Sequence, residues 1–188
     1  MRILIATGIY PPDIGGPATY SKFLYEELPR RGISVEVFSF GSVRHLPKII
    51  RHIVYAVLLF WRARPADVIF AQDPVSVGLP ALIVSKTLGK RFILKIVGDY
   101  AWEQGTARFG VTDALDEFLV KKKRYPLFVR FLKSIELYVA LRADKIITPS
   151  KYLKKIVSNW GIPEKNIAVV YNAFDDVFEK IDETPKEE

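Results

Sequence analysis

Two short stretches carry the residues best equipped for chemistry. Lys95-Ile96-Val97-Gly98-Asp99-Tyr100-Ala101-Trp102-Glu103-Gln104-Gly105 holds two carboxylates, two aromatic rings and two glycines. Acids such as Asp99 and Glu103 orient hydroxyl groups by accepting hydrogen bonds, and the faces of Tyr100 and Trp102 suit the C–H side of a sugar ring. The second stretch is Ile9-Tyr10-Pro11-Pro12-Asp13-Ile14-Gly15-Gly16, followed by Pro17 where a helix can begin. Proline suits a first helical position because its missing N–H would be unpaired there. A strand, a glycine loop and a helix start together aim free backbone N–H groups at an anion, and Gly15 and Gly16 let that backbone come close without a Cβ in the way. Taken alone, Gly15-Gly16 reads equally as a tight turn. Trp102 can likewise line a ligand or plug the core, and Asp73 can bind a ligand or cap a helix starting near Pro74.

The elements that must position these groups follow from hydrophobic patterning. Arg2 to Thr7 is a nearly continuous apolar, β-branched run ended by Gly8, the pattern of a strand covered on both faces. Further strands are expected at Ser34 to Phe40, Asp67 to Ala71, Arg91 to Val97, Lys145 to Thr148 and Ile167 to Tyr171. Helices are expected over Pro17 to Arg31, Leu46 to Arg64, Val75 to Leu88 and Ser150 to Trp160, with Gly32 and Gly89 as stops and Ser150 as an N-cap. A long helical region between Asp113 and Arg142 breaks near Pro126. Strands alternating with helices predict an α/β, doubly wound, mostly parallel sheet. Such sheets bind ligands outside the carboxyl ends of their strands, near the switch in strand order. That rule makes Gly15, Gly16, Asp73, Tyr100, Trp102, Glu103, Ser150 and Asn172 candidate substrate contacts, with Asp99 the candidate catalytic acid.

Composition narrows the chemistry. With no cysteine and only His45 and His52, the chain offers no disulfide, no thiolate and no zinc site, and no metal is expected. A strand directly follows Met1, so no signal peptide is read and a cytoplasmic protein is expected. The net charge is +7, but residues 175–188 hold seven acids and two lysines, leaving +12 on the rest. Such a body favours anionic partners. Ser42 to Arg64 contains five Arg or Lys and no acid, around an apolar centre from Ile53 to Trp61 too short to span a bilayer. Beside the reading as a core helix with a wet basic end stands an interfacial helix, with Arg44, Lys48 and Arg51 on anionic headgroups and Trp61 at the boundary. Lys121, Lys122, Lys123 and Arg124, followed by Tyr125, Leu127 and Phe128, repeat the theme. Neither patch has the register of a nucleic-acid motif, so no nucleic-acid partner is expected. The glycine spacing is not G-x-G-x-x-G, and Ser39-Phe40-Gly41 closes the second strand without an acid, which argues against dinucleotide binding.

Over about 175 residues the chain resembles the N-terminal half of family-four retaining glycosyltransferases of the GT-B fold. The resemblance rests on the opening Ile9-Tyr10-Pro11-Pro12-Asp13-Ile14-Gly15-Gly16, on Asp67-Val68-Ile69-Phe70-Ala71-Gln72-Asp73 and on Val97-Gly98-Asp99-Tyr100-Ala101-Trp102-Glu103. It continues in Ala143-Asp144-Lys145-Ile146-Ile147-Thr148-Pro149-Ser150 and Val169-Val170-Tyr171-Asn172-Ala173-Phe174-Asp175. It implies transfer of a sugar, with retained anomeric configuration, from a nucleotide sugar, which is substrate and not cofactor, to an acceptor. Together with the two basic-aromatic patches, the expected acceptor is a glycan or lipid-linked one at the membrane surface. It also implies that residues 1–174 form a Rossmann-like acceptor-binding domain and 175–188 an acidic linker, while a C-terminal domain in cis or a separate subunit binds the nucleotide. The chain by itself is then expected not to transfer sugar. Many relatives carry histidines where this sequence has Phe70, Gln72, Gly98 and Asp99, which leaves Asp99 as the nearest polar substitute. The rival expectations are a non-catalytic nucleotide-binding module and a membrane-surface scaffold.

Overall fold

The computed structural model of the chain describes residues 1–120 and 125–172. Its strands are β1 (Arg2–Thr7), β2 (Ser34–Ser39), β3 (Val68–Ala71), β4 (Arg91–Lys95), β5 (Lys145–Thr148) and β6 (Ile167–Val169). They form one sheet in the order β2-β1-β3-β4-β5-β6, and every neighbouring pair is parallel. The helices among the described residues are α1 (Gly16–Glu27), α2 (Lys48–Ala63), α3 (Gly78–Leu88), α4 (Tyr100–Arg108), α5 (Leu115–Val120), α6 (Leu127–Ala140) and α7 (Lys151–Ser158). This is the doubly wound, Rossmann-like sheet that the alternating pattern predicts. The segment 175–188 lies outside the described residues.

The main core joins Leu4, Ala6, Ile69, Ala71, Phe92, Leu94 and Ile146 of the strands to Tyr55 and Leu59 of α2, Ala81 and Leu82 of α3, Val139 of α6 and Val157 of α7. Each fully buried valine, leucine, isoleucine or phenylalanine among them contributes roughly 1.5–3 kcal/mol. Tyr55 enters this core by stacking on Phe38, with ring centroids 4.7 Å apart, and donates its hydroxyl to the Phe38 carbonyl at 3.1 Å. Ile5 and Phe70 are buried on the strands but stand outside that cluster. Against β1 and β2 lies α1, whose Tyr20 reaches as far as Lys95 of β4. A second, smaller cluster joins Ala101, Val111, Phe118, Val129 and Leu132 beneath α4 and α6.

Several ends shift by one or two residues from the sequence expectation, and three larger departures each have a local reason. The first α-helix ends at Glu27, and Pro29–Arg31 forms a single 3₁₀ turn closed by Gly32 at φ 74°. Pro29 has no N–H with which to continue the helical ladder. The third helix starts at Gly78 and not at Val75, because the Asp73 side chain holds the backbone of Val75, Ser76 and Val77 in a turn. The largest departure is the stretch after β4. It is read from the sequence as a loop, but Tyr100–Arg108 is a helix.

Candidate functional site

The strand order reverses between β1 and β3, so the carboxyl ends of these two strands frame the crevice of the sheet. Gly8 ends β1 and Asp73 follows β3. Asp73 Oδ1 accepts the N–H groups of Val75 (2.9 Å), Ser76 and Val77 (3.3 Å). Its Oδ2 stands 3.8 Å from where a Cβ on Gly8 would be. Burial raises the Asp73 pKa, and the three backbone N–H groups pull the other way. From Asp73 the edge continues to Ser76, whose hydroxyl donates to the Tyr100 hydroxyl at 3.2 Å, and on to Glu103. A Cβ on Gly98 would meet the tip of the Glu103 side chain, so the glycine lets that carboxylate lie close against the end of β4. Burial, then the charges of Asp99 and Asp73, raise the Glu103 pKa. The structure thus brings Asp73, Tyr100 and Glu103 to one acidic rim.

Asp99 occupies the N-cap of α4 and accepts the Trp102 N–H at 2.8 Å. Its residue is only 1 % exposed, and its Oδ2 has no N–H or hydroxyl donor. Glu136 of α6, equally buried, accepts the N–H groups of Tyr100 (3.0 Å) and Ala101 (3.4 Å). Burial first, and the Asp99 charge second, push the Glu136 carboxyl well above the usual carboxylate range. Two carboxyls buried side by side thus favour retention of a proton by the pair. The pair fastens the start of α4 to α6. The role expected of Asp99, contact with an acceptor hydroxyl, falls on a carboxyl that faces inward, and Glu103 one turn on is the acid that reaches the surface. Asp99→Ala is expected to cost about 1–2 kcal/mol through the lost cap, whereas Asp99→Asn keeps an acceptor for the Trp102 N–H and costs less than about 1 kcal/mol. Chemical denaturation of both variants checks this.

The helix signal in this stretch was present but masked. Asp99 is a good N-cap, Glu103 sits in the first turn and Arg108 in the last, but Gly105 interrupts the run of helix formers. Gly105 is buried, and a Cβ there would lie 3.0 Å from Val111, so packing selects the glycine. Trp102 packs against the second cluster and donates its indole N–H to the Asp113 carbonyl at 2.8 Å, so it fixes the segment after α4.

On the other side of β1 the glycine loop leads into α1. Gly15 takes φ 154° at the N-cap, and no side chain caps the helix. Gly16 is exposed, and nothing stands within 4 Å of a Cβ built on it. The N-terminal turn of α1 is therefore open, with its positive dipole end uncovered. Asp13 of the same loop pairs with Arg44, which ties the loop to the turn after β2.

Ser150 and Asn172 are also placed. Ser150 is the N-cap of α7, its hydroxyl accepting the Leu153 N–H at 3.1 Å. Asn172 Oδ1 accepts a hydrogen bond from Lys95 Nζ at 2.8 Å. Lys95 and Glu136 are the residues that the sequence reading passes over. Both are single charges inside apolar runs, Phe92-Ile93-Leu94-Lys95-Ile96-Val97 and Ile135-Glu136-Leu137-Tyr138-Val139, and a charge at a core position is the available signal.

The residues expected at a membrane separate. Arg44 belongs to the glycine loop's ion pair. Lys48 opens α2, its side chain outside the described part, while the Arg51 guanidinium lies 5.6 Å from the Phe40 ring centroid. Trp61 is 58 % exposed, in a stripe with Ile53 and Val57. Lys121, Lys122, Lys123 and Arg124 lie outside the described residues. No helix among the described residues is long and apolar enough to cross a membrane.

Known structures share the architecture. HepE of Anabaena, solved with UDP and glucose, superposes with a TM-score of 0.60 at 15% identity, covering 93% of this chain and 45% of that one. The lipopolysaccharide outer core galactosyltransferase WaaB, in its apo form, gives 0.56 at 18% identity, with 93% and 46% covered. The UDP-GlcNAc 2-epimerase of Methanocaldococcus jannaschii gives 0.56 at 13% identity, with 90% and 45% covered. At these identities the likeness is one of fold, and the chain spans under half the length of each structure. A search of curated proteins finds no match. The sequence profile described as Glycosyltransferase Family 4 matches residues 14–178, most of the chain, and the protein belongs to that family.

Proposed function

We propose that the chain is the acceptor-binding half of a retaining glycosyltransferase that moves a sugar from a nucleotide sugar to a glycan or lipid-linked acceptor on the cytoplasmic face of a membrane. The observation that carries this is the pairing of the family match with an open edge at the strand-order switch. That edge sets the uncapped start of α1 beside an acidic, aromatic rim. HepE, solved with UDP-glucose, supports a nucleotide sugar as donor. In this reading the amide groups at Gly15-Gly16 approach the donor's phosphate or reacting sugar, and Glu103 and Asp73 hold acceptor hydroxyls. Tyr100 lies against the acceptor ring, and Asp99 acts through α4 by holding that rim in place. A second domain, joined through the acidic 175–188 segment or supplied as a subunit, binds the nucleotide. Amide-shift mapping of the 188-residue chain with a panel of oligosaccharide acceptors tests the assignment. Shifts are expected at Gly98, Tyr100 and Glu103, and shifts confined to other surfaces contradict it.

The membrane part rests on exposed apolar stripes. Ile53, Val57 and Trp61 of α2 are 52–60 % exposed, and Leu127, Phe128 and Phe131 of α6 are 50–80 % exposed. Both helices contact α3, so they share one layer. Beside the α2 stripe a groove of about 270 Å³ is lined by Val57, Phe60, Ile83 and Thr87. Basic residues near a lipid surface contribute about 1 kcal/mol each toward anionic lipid. Anionic vesicles are therefore expected to retain the protein, raised salt to release it, and Ile53→Ser with Trp61→Ser to weaken retention about tenfold. Equal retention on neutral and anionic vesicles, or none on either, counts against this surface.

A further inference from the structure

We propose that Lys95 is the charge of a buried oxyanion pocket on the α1 side of the sheet, and that a phosphate or carboxylate group displaces the Asn172 amide from its ammonium. The register places the pocket. Thr7 pairs with Ser39, Ala6 with Ala71, Ala71 with Leu94 and Lys95 with Ile147. Ser39, Thr7, Gln72 and Lys95 thus make one polar row across four adjacent strands at their carboxyl ends. The Thr7 hydroxyl lies 3.5 Å from Gln72 Oε1, which keeps these two on one face. Lys95 points to that face too, its Nζ lying 2.9 Å from the centroid of the Tyr20 ring of α1.

The row is short of negative charge. Lys95 is 2 % exposed, and none of the salt bridges among the described residues includes it. An ammonium has three donors; one goes to Asn172 Oδ1 and one side rests on the Tyr20 ring. Gln72, 4 % exposed, has its amide nitrogen buried with no acceptor. The uncapped start of α1 adds its positive dipole end on the same side. Burying a cation without a counter-charge and an amide N–H without an acceptor is costly, and a ligand oxyanion supplies what both lack. Asn172 is exposed and comes from the segment after β6, so it can leave. Burial also lowers the Lys95 pKa to about 8, which a bound anion would reverse. The choice of phosphate as ligand rests on the transferase reading above, whereas the pocket itself rests on burial and charge.

The test titrates the 188-residue chain with inorganic pyrophosphate, UDP and dodecyl phosphate while NMR follows Lys95 Nζ and the Asn172 side-chain amide. Saturable shifts of both groups are expected, with a raised Lys95 pKa. Tighter binding of UDP assigns the anion to the donor, and tighter binding of dodecyl phosphate to a lipid-like acceptor. Lys95→Met should weaken pyrophosphate binding about tenfold or more, the loss of one charge-assisted hydrogen bond. Asn172→Ala, at an exposed position, should tighten it several-fold because no plug remains to be displaced. Pyrophosphate that moves neither group, or an Asn172→Ala affinity equal to the parent's, overturns the pocket. Sugar transfer by the complete enzyme without these shifts removes the pocket and leaves the transferase. The shifts without any transfer do the reverse.

Discussion

Gly16→Val in the complete enzyme is expected to lower kcat/KM for transfer about a hundredfold while the melting temperature stays near the parent value. The structure separates the two glycines of the loop. Gly16 is the first residue of α1 and lies outside the left-handed region, and nothing stands within 4 Å of a Cβ placed on it. A valine there meets no protein atom, and its intrinsic helix preference differs from glycine's by well under 1 kcal/mol. What it meets is whatever approaches the open turn of α1, and displacement of a reacting group by about 1 Å is enough for a hundredfold loss. Gly15 behaves differently. Its φ is +154°, and a Cβ there would fall 2.7 Å from Ile9 Cδ1. Gly15→Val is therefore expected to destabilise the fold by about 1–3 kcal/mol, and its loss of transfer accompanies a loss of structure. Steady-state kinetics beside thermal melts distinguish the two. Parental transfer by the Gly16 variant places the ligand elsewhere.

Glu136 gives the largest expected effect on stability. Glu136→Ala leaves the N–H groups of Tyr100 and Ala101 without their acceptor and opens a cavity under α4. Together these cost about 3 kcal/mol or more. Glu136→Gln keeps an acceptor and the volume, and it removes a charge that burial already disfavours, so its cost is expected below about 1 kcal/mol. The pH dependence has a definite sign. Burial and the Asp99 charge raise the native pKa of Glu136 well above 4.5, and burial raises that of Asp99 above 3.8. The native state therefore holds protons that the unfolded chain has released. This contribution is fully present below the unfolded values and is lost as pH rises through the native ones. Urea melts from pH 4 to 9 should show the parent losing stability relative to Glu136→Gln as pH rises. A difference that stays flat with pH contradicts the raised carboxyl pKa.

The sheet was legible because parallel strands buried on both faces leave apolar runs that few other structures produce. All four residues of β3 are buried, and its sequence is Val68-Ile69-Phe70-Ala71. Ser150 was legible as a cap because capping is local, its acceptor and donor three residues apart. The α4 helix was hidden by Gly105, whose reason is a contact with Val111 and not a local preference. Lys95 and Glu136 were visible as charges out of place, but their partners were not. Asn172 is 77 residues from Lys95, and Tyr100 is 36 residues from Glu136. No periodicity links such positions; only the folded sheet does. The rim of Asp73, Tyr100 and Glu103 stands between these cases: each residue follows a strand end, and the strand order then makes them neighbours.

The central claim is that these residues are the acceptor side of a two-part transferase. It is tested most directly by measuring sugar transfer from UDP-glucose and related donors by the 188-residue chain, with and without a C-terminal nucleotide-binding half supplied in cis or in trans. The account predicts no turnover by the chain alone and turnover on complementation, lost again with Gly16→Val. Robust transfer by the 188 residues alone would contradict it.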